Sequence, residues 1–335
     1  MKERVEQMKT VNVIAPAKVN LFLGIGARRD DGYHDVTTVM HALSMHDKLT
    51  MTQIGCGEHV MVVEPNDPAQ PERQEEVKVE PGSGLSVTVR NLWFGGIEPL
   101  DIPSADNLAS KAVYAFAQAV GRSEDEAIRI VIEKHIPYQA GLGGGSSDAA
   151  AALVGAAELW GIELDDDFLM QEVARCLGAD VRFFMRGGCA LLEGRGDWFE
   201  HQLTPRKDTA VIMRPSEGVS TVEAYRLFDE NPVYFDGQTL EAVRGAEDAV
   251  DVPLGNNLEA PALSLSPEMA KVRNLALAAT GVNAVQVCGS GSAVFAICDD
   301  YTSAQALSVQ VQREGFWART TSFTSVRASV IPSSR

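Results

Sequence analysis

The sequence predicts an α/β (α+β) chain of two lobes with a cleft between them, and three observations carry that prediction. A chain of 335 residues exceeds what one core holds, since single cores stop growing at about 250 to 300 residues. Its 45% hydrophobic and 22% charged residues match an ordinary globular enzyme. Short apolar runs and longer amphipathic stretches follow one another along the chain, so strands and helices interleave. A boundary is expected near residue 186, giving lobes 11–185 and 186–332.

From the start, Val11 to Gly24 alternates apolar runs with Ala15, Pro16, Lys18 and Asn20, which reads as strand, break, strand. Val36 to Leu43 and the residues around Leu49 read as further strands. From Gln53 to Gly84 the composition turns to Glu, Pro, Gln and Gly, the mark of an exposed excursion. Asp106 is the expected N-cap of a helix whose apolar stripe is Leu108, Ala112, Val113, Phe116, Ala117 and Val120, closed by Gly121. A strand over Ala127 to Glu133, a loop over His135 to Gly145 and a helix over Ser146 to Trp160 follow. A helix over Asp165 to Leu177 stops at Gly178 and delivers Asp180 into a turn. Later come strands at Ala190 to Glu193 and Ala210 to Met213, and helices near Thr221 to Phe228 and Pro267 to Ala279. Strands at Ala284 to Val287 and Ala293 to Ile297 flank Cys288-Gly289-Ser290-Gly291-Ser292.

Acidic residues outnumber basic ones 46 to 29, so the surface repels nucleic acid and anionic lipid, and neither is an expected partner. An anionic small-molecule substrate must then be captured locally. The first residues, MKERVEQMKT, lack the apolar core of a signal peptide, and no apolar run approaches the roughly 20 residues of a membrane span, so a cytoplasmic location is expected. Five cysteines without CxxC or Cys/His spacing read as reduced packing residues.

The strongest chemical signal is Pro137-Tyr138-Gln139-Ala140-Gly141-Leu142-Gly143-Gly144-Gly145-Ser146-Ser147-Asp148, which joins a strand to an alanine-rich helix. Glycines let the backbone approach a triphosphate with successive N–H groups turned inward, and the helix N-terminus adds partial positive charge. The block is neither a Walker A loop, which needs Gly-Lys-Ser/Thr, nor a Rossmann turn. Lys18 lies between apolar strand residues, where an ammonium needs an anionic partner, and Asp180 is the candidate. Read alone, Lys18 is more often a snorkelling surface lysine and Asp180 an ordinary turn aspartate. The Asp31-Gly32-Tyr33-His34 segment by itself is a plain turn.

Pro16-Ala17-Lys18-Val19-Asn20, the Gly141 loop and Gly289-Ser290-Gly291 together resemble the GHMP kinase superfamily. Ala17-Lys18-Val19-Asn20-Leu21, Asp31-Gly32-Tyr33-His34, the GLGGGSSDAAA form of the loop and Leu177-Gly178-Ala179-Asp180-Val181 resemble its branch acting on cytidine diphosphate methylerythritol. The resemblance implies a two-lobed GHMP kinase fold with the active site in the interdomain cleft. It implies ATP-dependent phosphorylation, with Mg2+, of the acceptor's 2-hydroxyl in the non-mevalonate route to isoprenoid precursors. It assigns Asp180 as catalytic base, Lys18 as its catalytic partner and Asn20 as a neighbouring substrate residue. Tyr33, His34 and Tyr225 match a cytosine pocket. Asn107, Lys134, Pro137, Ala140, Gly141, Leu142, Gly143, Gly144, Gly145, Ser146 and Ser147 match nucleotide-binding positions. The Mg2+ ligands stay unassigned, with Ser147 and Asp148 as candidates. Two departures stand out: Arg182 where the branch usually has Pro, and Cys288 with Ser292-Ala293 in the last glycine block. Two other readings stay open, a GHMP enzyme acting on another alcohol and a nucleotide sensor without catalysis.

Overall fold

The computed structural model describes residues 9–63, 74–163 and 169–332. In chain order the elements are β1 (Lys9–Arg28), β2 (His34–Gly55), β3 (His59–Val63), β4 (Gln74–Lys78), β5 (Leu85–Trp93), α1 (Leu108–Ala119), β6 (Glu126–Lys134), α2 (Gly144–Trp160), α3 (Leu169–Leu177) and α4 (Ala179–Arg186). There follow β7 (Cys189–Glu193), β8 (Trp198–Leu203), β9 (Thr209–Arg214), α5 (Thr221–Glu230), α6 (Gly237–Arg244), β10 (Gly255–Asn256), α7 (Glu259–Leu265), α8 (Pro267–Leu277), β11 (Val282–Val287), β12 (Val294–Cys298), α9 (Tyr301–Arg313), β13 (Trp317–Ser322) and β14 (Ser329–Val330).

The large sheet runs β10-β1-β2-β6-β5, with β14 on β1 and the β7–β8 hairpin on β2; the second sheet runs β11-β12-β9-β13. Strands β7, β8, β10 and β14 thus return to the first sheet from beyond residue 186. Helices α1, α2 and α4 share one apolar cluster with the large sheet, in which Val13, Met51, Phe116, Ile130, Phe183 and Phe184 are buried. The run Ala149 to Ala152, wholly buried, lets α2 lie close on the sheet. A second cluster joins Val19, Leu21 and Leu142 to Ile212, Cys288 and Phe295, so the two sheets share a core beneath the loop. Helices α8 and α9 cover the second sheet through Met269, Val272, Leu307 and Val311.

Several sequence expectations need correction. Pro16 does not break the first strand: β1 is continuous, with pairing shifts against β2 between Pro16 and Lys18 and again between Asn20 and Phe22. A bulge absorbs an irregular residue without ending the strand and re-aims the side chains beside it. The stretches around Val36 and Leu49 belong to one strand, β2. Asn107, not Asp106, caps α1, its side chain accepting from the Ala109 N–H at 2.9 Å. Asp180 stands in the first turn of α4 rather than in a free turn. The Gln53 to Gly84 stretch contains the end of β2 and the β3–β4 hairpin, whose base packs through Val60, Val77 and Val79 onto Ile54 and Ala127. Its residues 64–73, like 164–168 of the helix expected from Asp165, lie outside the described residues.

Candidate active site

The bulges in β1 set Lys18 and Asn20 at the floor of a cleft. Lys18 is 5% exposed; its Nζ donates to Asn20 Oδ1 at 2.9 Å and lies 3.4 Å from Asp180 Oδ2. Asn20 donates to Thr38 Oγ1 at 2.8 Å, and Thr38 to the Phe22 carbonyl at 2.8 Å, so the amide oxygen is fixed toward Lys18. The helix α4 that carries Asp180 is anchored by Phe183 and Phe184, both fully buried, each contributing about 1.5 to 3 kcal/mol. Its place in the first helical turn suits a carboxylate, because the helix N-terminus carries partial positive charge. Lys18 and Asp180 open into a cavity of about 630 Å³ shared with Gly141, Gly143, Thr221 and Gly289 to Gly291.

Across the loop lies a second cavity of about 370 Å³, lined by Trp93, Asn107, Lys134, Tyr138 and the loop from Pro137 to Ser146. Two glycines make the wall between the cavities. Gly141 has φ +73°, and a Cβ there would stand 1.9 Å from the Cys288 carbonyl oxygen. Gly143, at φ +72°, caps α2, and its Cβ would meet the Phe184 ring at 2.6 Å and Lys18 Cγ at 3.2 Å. Close approach and left-handed backbone both exclude a side chain there. The loop is tied down as well: Lys18 N donates to the Leu142 carbonyl at 3.0 Å, and Ala293 N to the Ala140 carbonyl at 3.2 Å.

Lys134 lines the second cavity, but its ammonium is held between Asp47 Oδ2 and Asp148 Oδ2, the latter at 2.5 Å. Asp47 also accepts from the N–H groups of His135 and Ile136. Burial alone would lower the Lys134 pKa; the two carboxylates outweigh it and raise it. Burial pushes the Asp148 carboxyl up to about 7, and Lys134 only partly offsets this. Asp148 Oδ1 and Ser147 Oγ are buried without hydrogen-bond partners. Asp148 lines the 370 Å³ cavity, whereas Ser147, in the first turn of α2, is 0% exposed and does not line it. Asp47, Thr38 and the contacts of Gln286 and Asn256 escaped the sequence reading. Gln286 donates to the Asn20 and Leu21 carbonyls at 2.8 and 3.2 Å, and Asn256 to the Gly289 carbonyl at 2.7 Å. Each spans a long sequence separation, and no local pattern marks it.

His34 and Tyr225 come together, ring centroids 5.4 Å apart, and His34 Nε2 lies 2.7 Å from Asp229 Oδ1. Burial, with Asp180 adding to it, pushes the Tyr225 phenol up to about 12, so it keeps its proton. Tyr33 does not join them: it is 56% exposed, and the Arg195 guanidinium covers its ring at 4.8 Å. Arg182 turns from the cleft and donates to the Asp197 carbonyl at 2.7 Å. The Cys288 thiol is pushed up to about 12 by burial, which leaves it inert as a nucleophile.

A glycine loop on a helix N-terminus, walled off from a Lys–Asp pair, defines a small-molecule kinase of the GHMP type. The family model "GHMP kinases N terminal domain" matches residues 107–188, and "GHMP kinases C terminal" matches 241–316. Among relatives, the 4-diphosphocytidyl-2-C-methyl-D-erythritol kinase of Pelotomaculum thermopropionicum is 33% identical over 308 residues, covering 90% of this chain and 94% of its own. That of Nocardia farcinica is 35% identical over 314 residues, covering 91% and 90%. A crystal structure of 4-(cytidine 5'-diphospho)-2C-methyl-D-erythritol kinase superposes with a TM-score of 0.69 at 31% identity, covering 93% of this chain and 98% of that one. The chain belongs to the 4-diphosphocytidyl-2-C-methyl-D-erythritol kinase family of GHMP kinases.

Proposed function

We propose that the chain transfers the γ-phosphoryl group of ATP to the 2-hydroxyl of 4-diphosphocytidyl-2-C-methyl-D-erythritol, in the methylerythritol phosphate pathway to isoprenoid precursors. The observation that carries the catalytic reading is the Lys18–Asp180 pair, with Lys18 buried and Asp180 partly exposed, opening to the cavity proposed for the acceptor. Asp180 accepts the proton of the attacking hydroxyl as its oxygen bonds the γ-phosphorus and the bond to the β-phosphate oxygen breaks, releasing ADP. Lys18 neutralises charge on the moving group. The loop N–H groups and the α2 N-terminus hold the remaining phosphates.

Mg2+ fits the nucleotide-side cavity on the strength of its donors. Lys134 is already engaged there by Asp47 and Asp148, Asp106 adds negative charge, and Asp148 Oδ1 is a buried oxygen without a partner. Mg2+ takes few protein ligands and prefers oxygen, and when bound it would supply positive charge to offset that of the phosphates. Asp148 is the residue that would hold it. The lobes are proposed to divide near residue 186. No helix among the described residues is long and apolar enough to cross a membrane, and we place the enzyme in the cytoplasm.

His34 and Tyr225 form the proposed cytosine pocket, and Tyr33, exposed and covered by Arg195, joins it only once the acceptor is bound. When Asp229 accepts from His34 Nε2–H, Nδ1 keeps a lone pair for the base edge, while the Tyr rings supply stacking area. The test is to incubate the protein with ATP, Mg2+ and a panel of alcohols, including methylerythritol phosphate without the nucleotide, and to weigh the products. Phosphorylation confined to the cytidylated acceptor is expected; equal turnover without the cytidine would remove the basis for the base pocket.

A further inference from the structure

Arg214 ends β9 where the two lobes meet, and it is 8% exposed. Its Nε is buried with no hydrogen-bond partner, and the side chain forms no ion pair among the described residues. In a chain with 46 acidic residues a buried guanidinium left without a carboxylate needs another source of stabilisation. That source is an aromatic face: Arg214 Cζ stands 5.0 Å from the centroid of Tyr138. Tyr138 in turn meets Trp93 edge to face, centroids 5.8 Å apart and planes at 79°.

Tyr138 and Trp93 line the 370 Å³ cavity, whereas Arg214 lines a different hollow of about 430 Å³ behind them, with Gly95, Gly315 and Trp317. The guanidinium therefore backs the aromatic wall from the second lobe without reaching the cavity itself. Its strand also leads, through Pro215 and Ser216, into Gly218 to Val222, which line the acceptor cavity.

We propose that Arg214 is a positioning residue for the nucleotide base: held over Tyr138, it fixes that ring, and through it Trp93, as the aromatic corner against which a purine seats. The proposal rests on assigning this cavity to the nucleotide. A cation over one ring face leaves the ring little freedom to rotate, and the T-shaped contact passes the constraint to Trp93. The phosphate end of the nucleotide does not depend on it, because the Gly141 loop is anchored separately by Lys18 and Ala293.

The experiment compares binding of ATP and of inorganic tripolyphosphate, both with Mg2+, to wild type, Arg214→Met, Arg214→Lys, Tyr138→Leu and the Arg214→Met/Tyr138→Leu double variant. Arg214→Met should weaken ATP roughly tenfold, the scale of a desolvated cation–π contact, and leave tripolyphosphate unchanged. Arg214→Lys should recover part of the loss, and it serves in place of Arg214→Met if that variant does not fold. In the Tyr138→Leu background the Arg214 change should cost nothing further. Equal loss of ATP and tripolyphosphate, the same loss in both backgrounds, or an unchanged ATP affinity in Arg214→Met overturns the role of Arg214. An unchanged ATP affinity in Tyr138→Leu overturns the cavity assignment beneath it.

Discussion

Lys18 and Lys134 are buried to the same degree, 5% and 6% exposed, and both lie against the glycine loop, yet their ammonium groups are engaged differently. Lys134 is clamped between two carboxylates before any ligand arrives. Lys18 has one carboxylate at 3.4 Å and one amide oxygen, and an ammonium has three donors, so one direction remains for an incoming phosphoryl oxygen. Burial and residue type alone do not separate the lysine proposed for catalysis from the structural one; the number of anions already satisfied does.

The comparison can be broken at four points. The largest effect is expected on the Lys18 side: Asp180→Asn should keep ATP binding and the fold while turnover falls by about two to four orders of magnitude, the scale of general-base removal. Near-normal steady-state turnover in the folded variant would end the assignment. On the other side, Lys134→Met strands Asp47 and Asp148 in a buried site and should cost about 3 to 5 kcal/mol of stability, whereas Lys18→Met should lower turnover with a smaller change in thermal midpoint. Equal midpoints for the two variants would erase the distinction.

A pH series sharpens it further. Burial raises the folded pKa of Asp148 from the ordinary 3.8 to about 7, so native protein holds a proton that the unfolded chain has released. Its contribution is fully present below the unfolded pKa and is lost as pH rises from about 4 to 7. Asp148→Asn should flatten the midpoint profile across that window; an unchanged profile would place the titration elsewhere. The smallest effect belongs to the acceptor's far end. Tyr225→Ala should weaken acceptor binding by about 1 to 3 kcal/mol with ATP affinity untouched, and Tyr33→Ala by less, since its ring is exposed and faces Arg195. Calorimetric titration of the acceptor into both variants checks the order.

The loop and α2 were legible because their signal is local: glycines, two serines and an alanine run stand next to one another in the chain. The Lys18–Asp180 pairing was suggested by chemistry, and the residues do meet, although Asp180 sits in a helix that Gly178 was expected to precede only as a turn. Pro16 misled because a proline reads as a break, while a bulge on a strand anchored by β2 accommodates it. Lys134 was matched to the nucleotide, but its engagement by Asp47, 87 residues away, has no signature along the chain. The same holds for Gln286, Asn256 and Arg214, whose partners on β1, at Gly289 and at Tyr138 are distant in the chain and are brought near only by the fold.

The contact of Gly141 with Cys288 has a mechanical side. Backbone from the first lobe rests on backbone from the second, Ser292 N and Ala293 N donate across to the Gln139 and Ala140 carbonyls, and Gln286 reaches over to β1. Prising the lobes apart at this point would strip those groups of their partners inside a dry core, at a cost of about 1 to 3 kcal/mol for each group left unpaired. The glycine loop is therefore a weld, not a hinge. If an acceptor binds in the cavity as proposed, closing movement around it is expected from the rim that carries Gly218 to Val222, while the floor beneath Lys18 stays rigid.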